Sequence, residues 1–151
     1  MIQLNLPKAK LRGKKQDDKP YVWDMFRSKY VRLTPEEWVR QHFAHYMVNH
    51  LEYPASLMVI EYATKVNGLD RRSDIVVFNN KRTPVLAVEC KAPSVKITQD
   101  VFNQIANYNL DLNVDYLVVT NGLNHYCCKL DRKNHRYDFI EMIPPYSNFR
   151  C

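Results

Sequence analysis

The chain has 151 residues, of which 46% are hydrophobic and 25% charged. These are the length and composition of one globular domain rather than of a disordered chain. No apolar run approaches the roughly 20 residues of a membrane span, and the start lacks the apolar stretch of a secretory signal, so a cytoplasmic protein with no membrane partner is expected. The net charge of +6 is uneven: residues 1–32 hold nine Lys/Arg against three Asp, whereas residues 33–151 hold thirteen of each sign. A localised excess of positive charge points to an anionic partner, and nucleic acid is the first candidate.

Residues 1–19 read as an irregular basic arm, in which Lys8, Lys10, Arg12, Lys14 and Lys15 follow one another with no acid between them. Residues 20–151 read as a single domain. Tyr21–Trp23 and Tyr30–Leu33 flank a polar stretch and suit a small hairpin. Thr34-Pro35-Glu36-Glu37 is a helix start, with a capping Thr, Pro in the first helical position and an acidic third position. Val39, Phe43, Tyr46 and Met47 then recur at helical spacing, and the helix should run to about His50. Three strands follow, over 57–66, 73–78 and 84–91, joined by Asn67-Gly68 and by the polar turn 79–83. They should form an antiparallel meander.

A helix is predicted over 97–110, with Thr98 as its cap and Val101, Ile105 and Tyr108 or Leu112 on one face. Tyr116–Thr120 reads as a buried strand, reached through that helix and therefore parallel to its neighbour. His125–Leu130 and Tyr137–Met142 complete a β-rich tail. The fold class is α/β, in the order α-βββ-α-β, with a mixed central sheet.

Chemistry-bearing residues gather in the meander. Glu89 and Lys91 lie two apart on one strand and share a face, while Cys90 points to the core. Asp74, near the start of the preceding strand, should be brought beside them by the short turn. Two carboxylates suit a hard cation such as Mg²⁺ or Mn²⁺, and an ammonium beside them suits charge on a phosphoryl group. The plainer alternative is a surface ion pair of Lys91 with Asp74 or Glu89, a common and weak interaction. Against it, Glu89 and Lys91 end an apolar strand that looks buried.

Other features carry less. His42, His45 and His50 do not have the spacing of a zinc helix motif. Cys90, Cys127, Cys128 and Cys151 form no C-x-x-C pair and suit reduced core thiols. Tyr21, Trp23, Tyr30, His125 and Tyr126 are either strand packing or stacking surfaces for bases. Arg71 and Arg72, just before Asp74, are either a solvated turn or phosphate contacts.

Asp74…Glu89-Cys90-Lys91 resembles the D…(D/E)-x-K signature of the PD-(D/E)XK nuclease superfamily, with Ser73 in place of the usual proline. Gln104-Ile-Ala-Asn-Tyr108 is similar to the Q-x-x-x-Y motif of RecB-type nucleases and type I restriction R subunits. Leu33–His42 and Val119–Gly122 resemble segments of the N-terminal domain of type I restriction R proteins. The resemblance spans roughly residues 20–145. It implies a restriction-endonuclease-like core and a Mg²⁺-dependent DNA endonuclease. Asp74 and Glu89 would be metal ligands, Lys91 the catalytic lysine, and Gln104 and Tyr108 contacts to DNA phosphate or a buttress of the site. Glu37 would supply an accessory carboxylate, with Glu36 and Glu61 as rivals. R subunits also carry a helicase motor, and this chain has no G-x-x-x-x-G-K-[S/T]. A motor or a specificity subunit would then be a partner. A non-catalytic nucleic-acid-binding or assembly module is the alternative expectation.

Overall fold

The computed structural model describes residues 1–66 and 68–149, including all but the side chain of Val66. The chain builds two sheets. The smaller consists of β1 (Gly13–Gln16), β2 (Lys19–Asp24) and β3 (Lys29–Arg32), all antiparallel. Helix α1 (Pro35–His50) follows, and then the strands of the larger sheet: β4 (Met58–Val66), β5 (Leu69–Phe78) and β6 (Pro84–Cys90). Helix α2 (Gln99–Leu110) leads to β7 (Tyr116–Thr120), β8 (His125–Asp131) and β9 (Arg136–Ile140). The six strands lie in sequence order, with β6 and β7 parallel and every other pair antiparallel. This is the expected mixed sheet with the α-βββ-α-β order and a β-rich tail. Among the described residues no helix is long and apolar enough to cross a membrane.

Both helices start where their sequence dictates. The Thr34 and Thr98 hydroxyls accept hydrogen bonds from the backbone N–H groups of Glu37 and Val101, at 3.1 and 3.2 Å. Strands β5 to β7 are buried on both faces, so they read as unbroken apolar runs. Ile75, Val77, Val88 and Val118 pack under α1 against Val39, Phe43, Ala44 and Met47. Val76, Ala87, Leu117 and Val119 face α2 through Phe102. Each fully buried Val, Leu, Ile, Phe or Met side chain among these contributes about 1.5–3 kcal/mol relative to exposure. Cys127 and Cys128 fall into opposite layers, as adjacent strand residues must. Cys90, Cys127 and Cys128 are free and buried; Asn67 and Cys151 lie outside the described residues.

Three expectations change. The basic arm is not irregular: residues 13–16 pair with β2, Leu4 is buried in the core, and the Asn5 N–H donates to the Gly122 carbonyl at 2.8 Å. Strand β5 begins at Leu69 rather than 73, extending the hairpin beyond β6. In α2, Phe102 and Asn109 are the buried residues, while Tyr108 is exposed. Ile105 and Leu112 pack against the core as expected, but the buried face runs through Phe102 and Asn109 rather than Val101 and Tyr108.

The β7–β8 turn joins distant parts of the chain. Asn121 accepts from the N–H groups of Leu123 and Asn124 and donates to the Val95 carbonyl. The Thr120 carbonyl accepts from the Lys91 N–H at 2.8 Å. Gly122 has φ +85°, and a Cβ there would stand 2.7 Å from Leu4 Cδ2 and 3.1 Å from Val39 Cγ2. Gly122→Ala should therefore cost about 1–3 kcal/mol in urea unfolding, from backbone strain and crowding together. An unchanged unfolding midpoint would show that the N-terminal segment is not held in this way.

Candidate functional site

The register of β5 and β6 positions the first two site residues. Ile75 pairs with Val88, so one step further brings Asp74 opposite Glu89. Both side chains emerge on the α2 face, the side of Val76 and Ala87. The irregularity in this pairing falls at Val77/Phe78, away from the site. The Asp74 carboxylate is fixed at both oxygens: Oδ2 accepts from the Cys90 N–H at 2.7 Å and Oδ1 from Arg40 Nη1 at 3.1 Å. Glu89 is hydrogen-bonded to Asp74, and its Oε1 is buried with no partner.

Burial, together with the neighbouring Asp74 carboxylate, pushes the Glu89 carboxyl up to about 8. Asp74 is also raised by burial, but the Cys90 N–H, Arg40 and Lys91 oppose the rise. Both shifts favour a proton retained by the pair near neutral pH. Lys91 follows the end of β6, near enough to Asp74 and Glu89 to favour their charged forms.

An open cleft of about 330 Å³ lies over Glu89 and Lys91, lined also by Arg72, Gln104, Tyr108 and Asn109 among others. Gln104 and Tyr108 are one helical turn apart on α2, and both face it. A wider hollow of about 630 Å³ beside the β4–β5 hairpin holds Asp70 but neither paired carboxylate. The chemistry is therefore concentrated in the smaller cleft.

Other expected site residues are placed differently. Glu37 is buried and committed to cations: Arg27 Nη2 at 2.8 Å, Arg40 Nη2 at 2.7 Å and Arg40 Nε at 3.0 Å, with Gln41 Nε2 at 3.2 Å. These partners hold its carboxyl below the usual range despite burial. It is a counter-ion for the arginines and is not free to act as an accessory ligand. Glu61, at φ +54°, likewise turns to Arg27 at 3.1 Å and Arg40 at 3.5 Å. Glu36 is the rival that faces the pair: burial and the Asp74 charge raise its carboxyl, and Lys91 opposes the rise. Arg71 does not itself line the cleft; it donates to the Tyr108 carbonyl and lies 4.0 Å over the Tyr108 ring. Lys14 and Lys15 lie on the small sheet, and Lys14 stands 4.2 Å from the Tyr30 ring.

Three residues of the site were not anticipated. Arg40 and Arg27 link Asp74 to Glu37, Glu61 and Asp24. Arg40 falls three residues after Glu37, inside the apolar stripe of α1, and a charge there is the available signal. Asn109 is buried beside Glu89, and its position near a helix end reads as an ordinary cap.

The carboxyl pair has a consequence for stability. An unfolded Glu loses its proton near 4.5, whereas folded Glu89 keeps it to about 8. Between these values the folded state binds more protons, so stability falls as pH rises and levels off above about 8. In EDTA, the melting temperature should drop between pH 5.5 and 8, and Glu89→Gln should flatten that drop. An identical pH dependence in wild type and variant would contradict the assignment.

Among the described residues, no cluster of three or more His, Cys, Asp or Glu is arranged to hold a metal ion. The available donor set is Asp74 and Glu89, and Glu89 Oε1 is buried without a hydrogen-bond partner. Two carboxylates with several retained waters are a sufficient anchor for Mg²⁺. No curated protein matches the chain. The family model of the type I restriction enzyme R protein N terminus matches residues 35–144, from the first turn of α1 to just beyond β9. That span contains the carboxyl pair, Lys91 and the whole of α2, and the chain belongs to the family of type I restriction enzyme R protein N-terminal domains.

Proposed function

We propose that this domain is a Mg²⁺- or Mn²⁺-dependent DNA endonuclease, acting with motor or specificity subunits of a restriction system. The observation that carries the reading is the meeting of Asp74 with Glu89, which lines a cleft together with Lys91 and Gln104. A buried like-charge pair is costly to a fold, and such pairs concentrate where chemistry uses them. A domain that only bound DNA would need cations at this place, not two carboxyl groups.

Asp74 and Glu89 would hold the cation, which when bound would polarise a phosphoryl oxygen and lower the pKa of a water. Glu89 must first surrender its proton, so cation affinity should rise with pH toward about 8. Arg40 and the Cys90 N–H keep Asp74 oriented. The Lys91 ammonium would sit beside the phosphate, steadying its added negative charge and orienting the attacking water. Hydrolysis adds that water across one P–O bond, leaving a phosphate monoester and a hydroxyl end. Gln104, Tyr108 and Arg72 line the cleft where the neighbouring phosphates would lie. Glu36, rather than Glu37, would be the accessory carboxylate.

Supercoiled plasmid incubated with the protein and Mg²⁺ or Mn²⁺ should be nicked, and EDTA should stop the reaction. Lys91→Ala and Asp74→Asn should each lower the rate by about 10²–10³, the effect typical of one electrostatic group. Nicking by Lys91→Ala at the wild-type rate would overturn the reading. Metal-independent binding without any cleavage, with partner subunits present, would leave a binding module.

A further inference from the structure

The small sheet has one face with a composition unlike the rest of the surface. Val22 and Asp24 are buried beneath it, so their strand neighbours Tyr21 and Trp23 point outward. Register places Tyr30 opposite Trp23, and Arg32 and Lys14 on either side of Tyr21. Arg12 continues β1 beside Trp23, whose N–H donates to the Arg12 carbonyl at 2.7 Å. Lys19 shares the same face by alternation. The strand positions of the outward face therefore carry three aromatic rings and four cations and no carboxylate, with Asp17 and Asp18 in the β1–β2 turn at its end. Its rings are half-buried, while Arg12, Lys14, Lys19 and Arg32 are exposed.

The rings and cations already interact. Trp23 and Tyr30 meet edge to face at 5.2 Å, and Arg12 lies 4.7 Å from the Trp23 ring. Lys14 lies 4.2 Å from the Tyr30 ring. Ring faces covered by mobile cations offer both groups that a nucleotide needs, a stacking surface and a phosphate counter-charge. Duplex DNA keeps its bases stacked on one another, and a flat three-stranded face is too broad for its grooves. Unpaired bases have free faces. We propose that the outward face of β1–β3 binds single-stranded DNA by base stacking on Trp23 and Tyr30, with Arg12, Lys14, Lys19 and Arg32 on the phosphates.

The position of the sheet suits this role. The β2–β3 turn is held by Asp24, which accepts from the N–H groups of Phe26 and Arg27 at 2.7 and 3.1 Å. Arg27 then reaches Glu37, and Glu37 binds the same Arg40 that holds Asp74. The stacking face is thus fixed to the residues that orient the carboxyl pair. The proposal deepens the reading of DNA as substrate by naming the form of DNA held beside the site.

Binding measured in EDTA separates this face from catalysis. A fluorescein-labelled 15-mer of thymidylate should bind more tightly than a 15-base-pair duplex and should quench tryptophan fluorescence. Trp23→Ala should weaken single-strand binding about tenfold and abolish the quenching, although Trp38 remains. A Lys14→Ala, Arg32→Ala double variant keeps the rings and should lower the log–log salt slope by about 0.7 per lost phosphate contact. Lys133→Ala, on the β8–β9 turn, should bind as wild type does. Equal affinity for duplex and single strand, or wild-type binding by Trp23→Ala together with an unchanged slope in the double variant, would overturn the proposal. A protein that binds the single strand in this way but never cleaves would instead count against the nuclease reading alone.

Discussion

Two carboxyl groups held side by side, Asp74 and Glu89, are the constraint around which the site is arranged. The β5–β6 register leaves them no choice of neighbour, because the pairing of Ile75 with Val88 puts them opposite one another. Burial and mutual repulsion both oppose two negative charges there. The fold answers by raising both carboxyls, Glu89 to about 8, and by giving Asp74 a backbone N–H and a guanidinium. Glu89 Oε1 nevertheless stays buried without a donor. A divalent cation would replace the shared proton and supply that oxygen with a partner, removing both penalties at once.

The cations around the pair explain why α1 and the small sheet sit where they do. Arg40 spans Glu37 and Asp74, and Arg27 spans Asp24, Glu37 and Glu61. Nearly buried guanidinium groups need satisfied carboxylates, since an unpaired charge in such a place costs several kcal/mol. The network therefore consumes Glu37 and much of Glu61, and leaves Glu36 facing the pair. It also joins the β2–β3 turn to the site through a continuous set of side-chain contacts.

Much of this arrangement is legible in the chain. Thr34-Pro35 and Thr98 mark both helix starts because capping chemistry is local. Asp74, Glu89 and Lys91 can be placed together because a short turn and a side-chain period of two fix the pairing of adjacent strands. The arm at residues 13–16 is missed because its four residues are all exposed and show no apolar alternation; their strand exists through pairing with β2. Glu37 is misread because its sequence position gives its helix, while its partner Arg27 lies ten residues earlier on another element. The contact of Arg71 with Tyr108 has no sequence signal for the same reason, since the end of α2 that holds it is 37 residues away. Local signals specify elements well; a long side chain's choice among distant partners is set only by the tertiary fold.

The central claim, that Asp74 and Glu89 exchange a shared proton for a divalent cation, is tested most directly by calorimetric titration of the protein with Mn²⁺ at pH 7 in two buffers of different ionisation enthalpy. Glu89 protonated to about 8 predicts the release of close to one proton per bound ion, with binding strengthening as pH rises. Glu89→Gln should lose both the proton release and most of the affinity. Binding without proton release, or with equal affinity in the variant, would contradict the account.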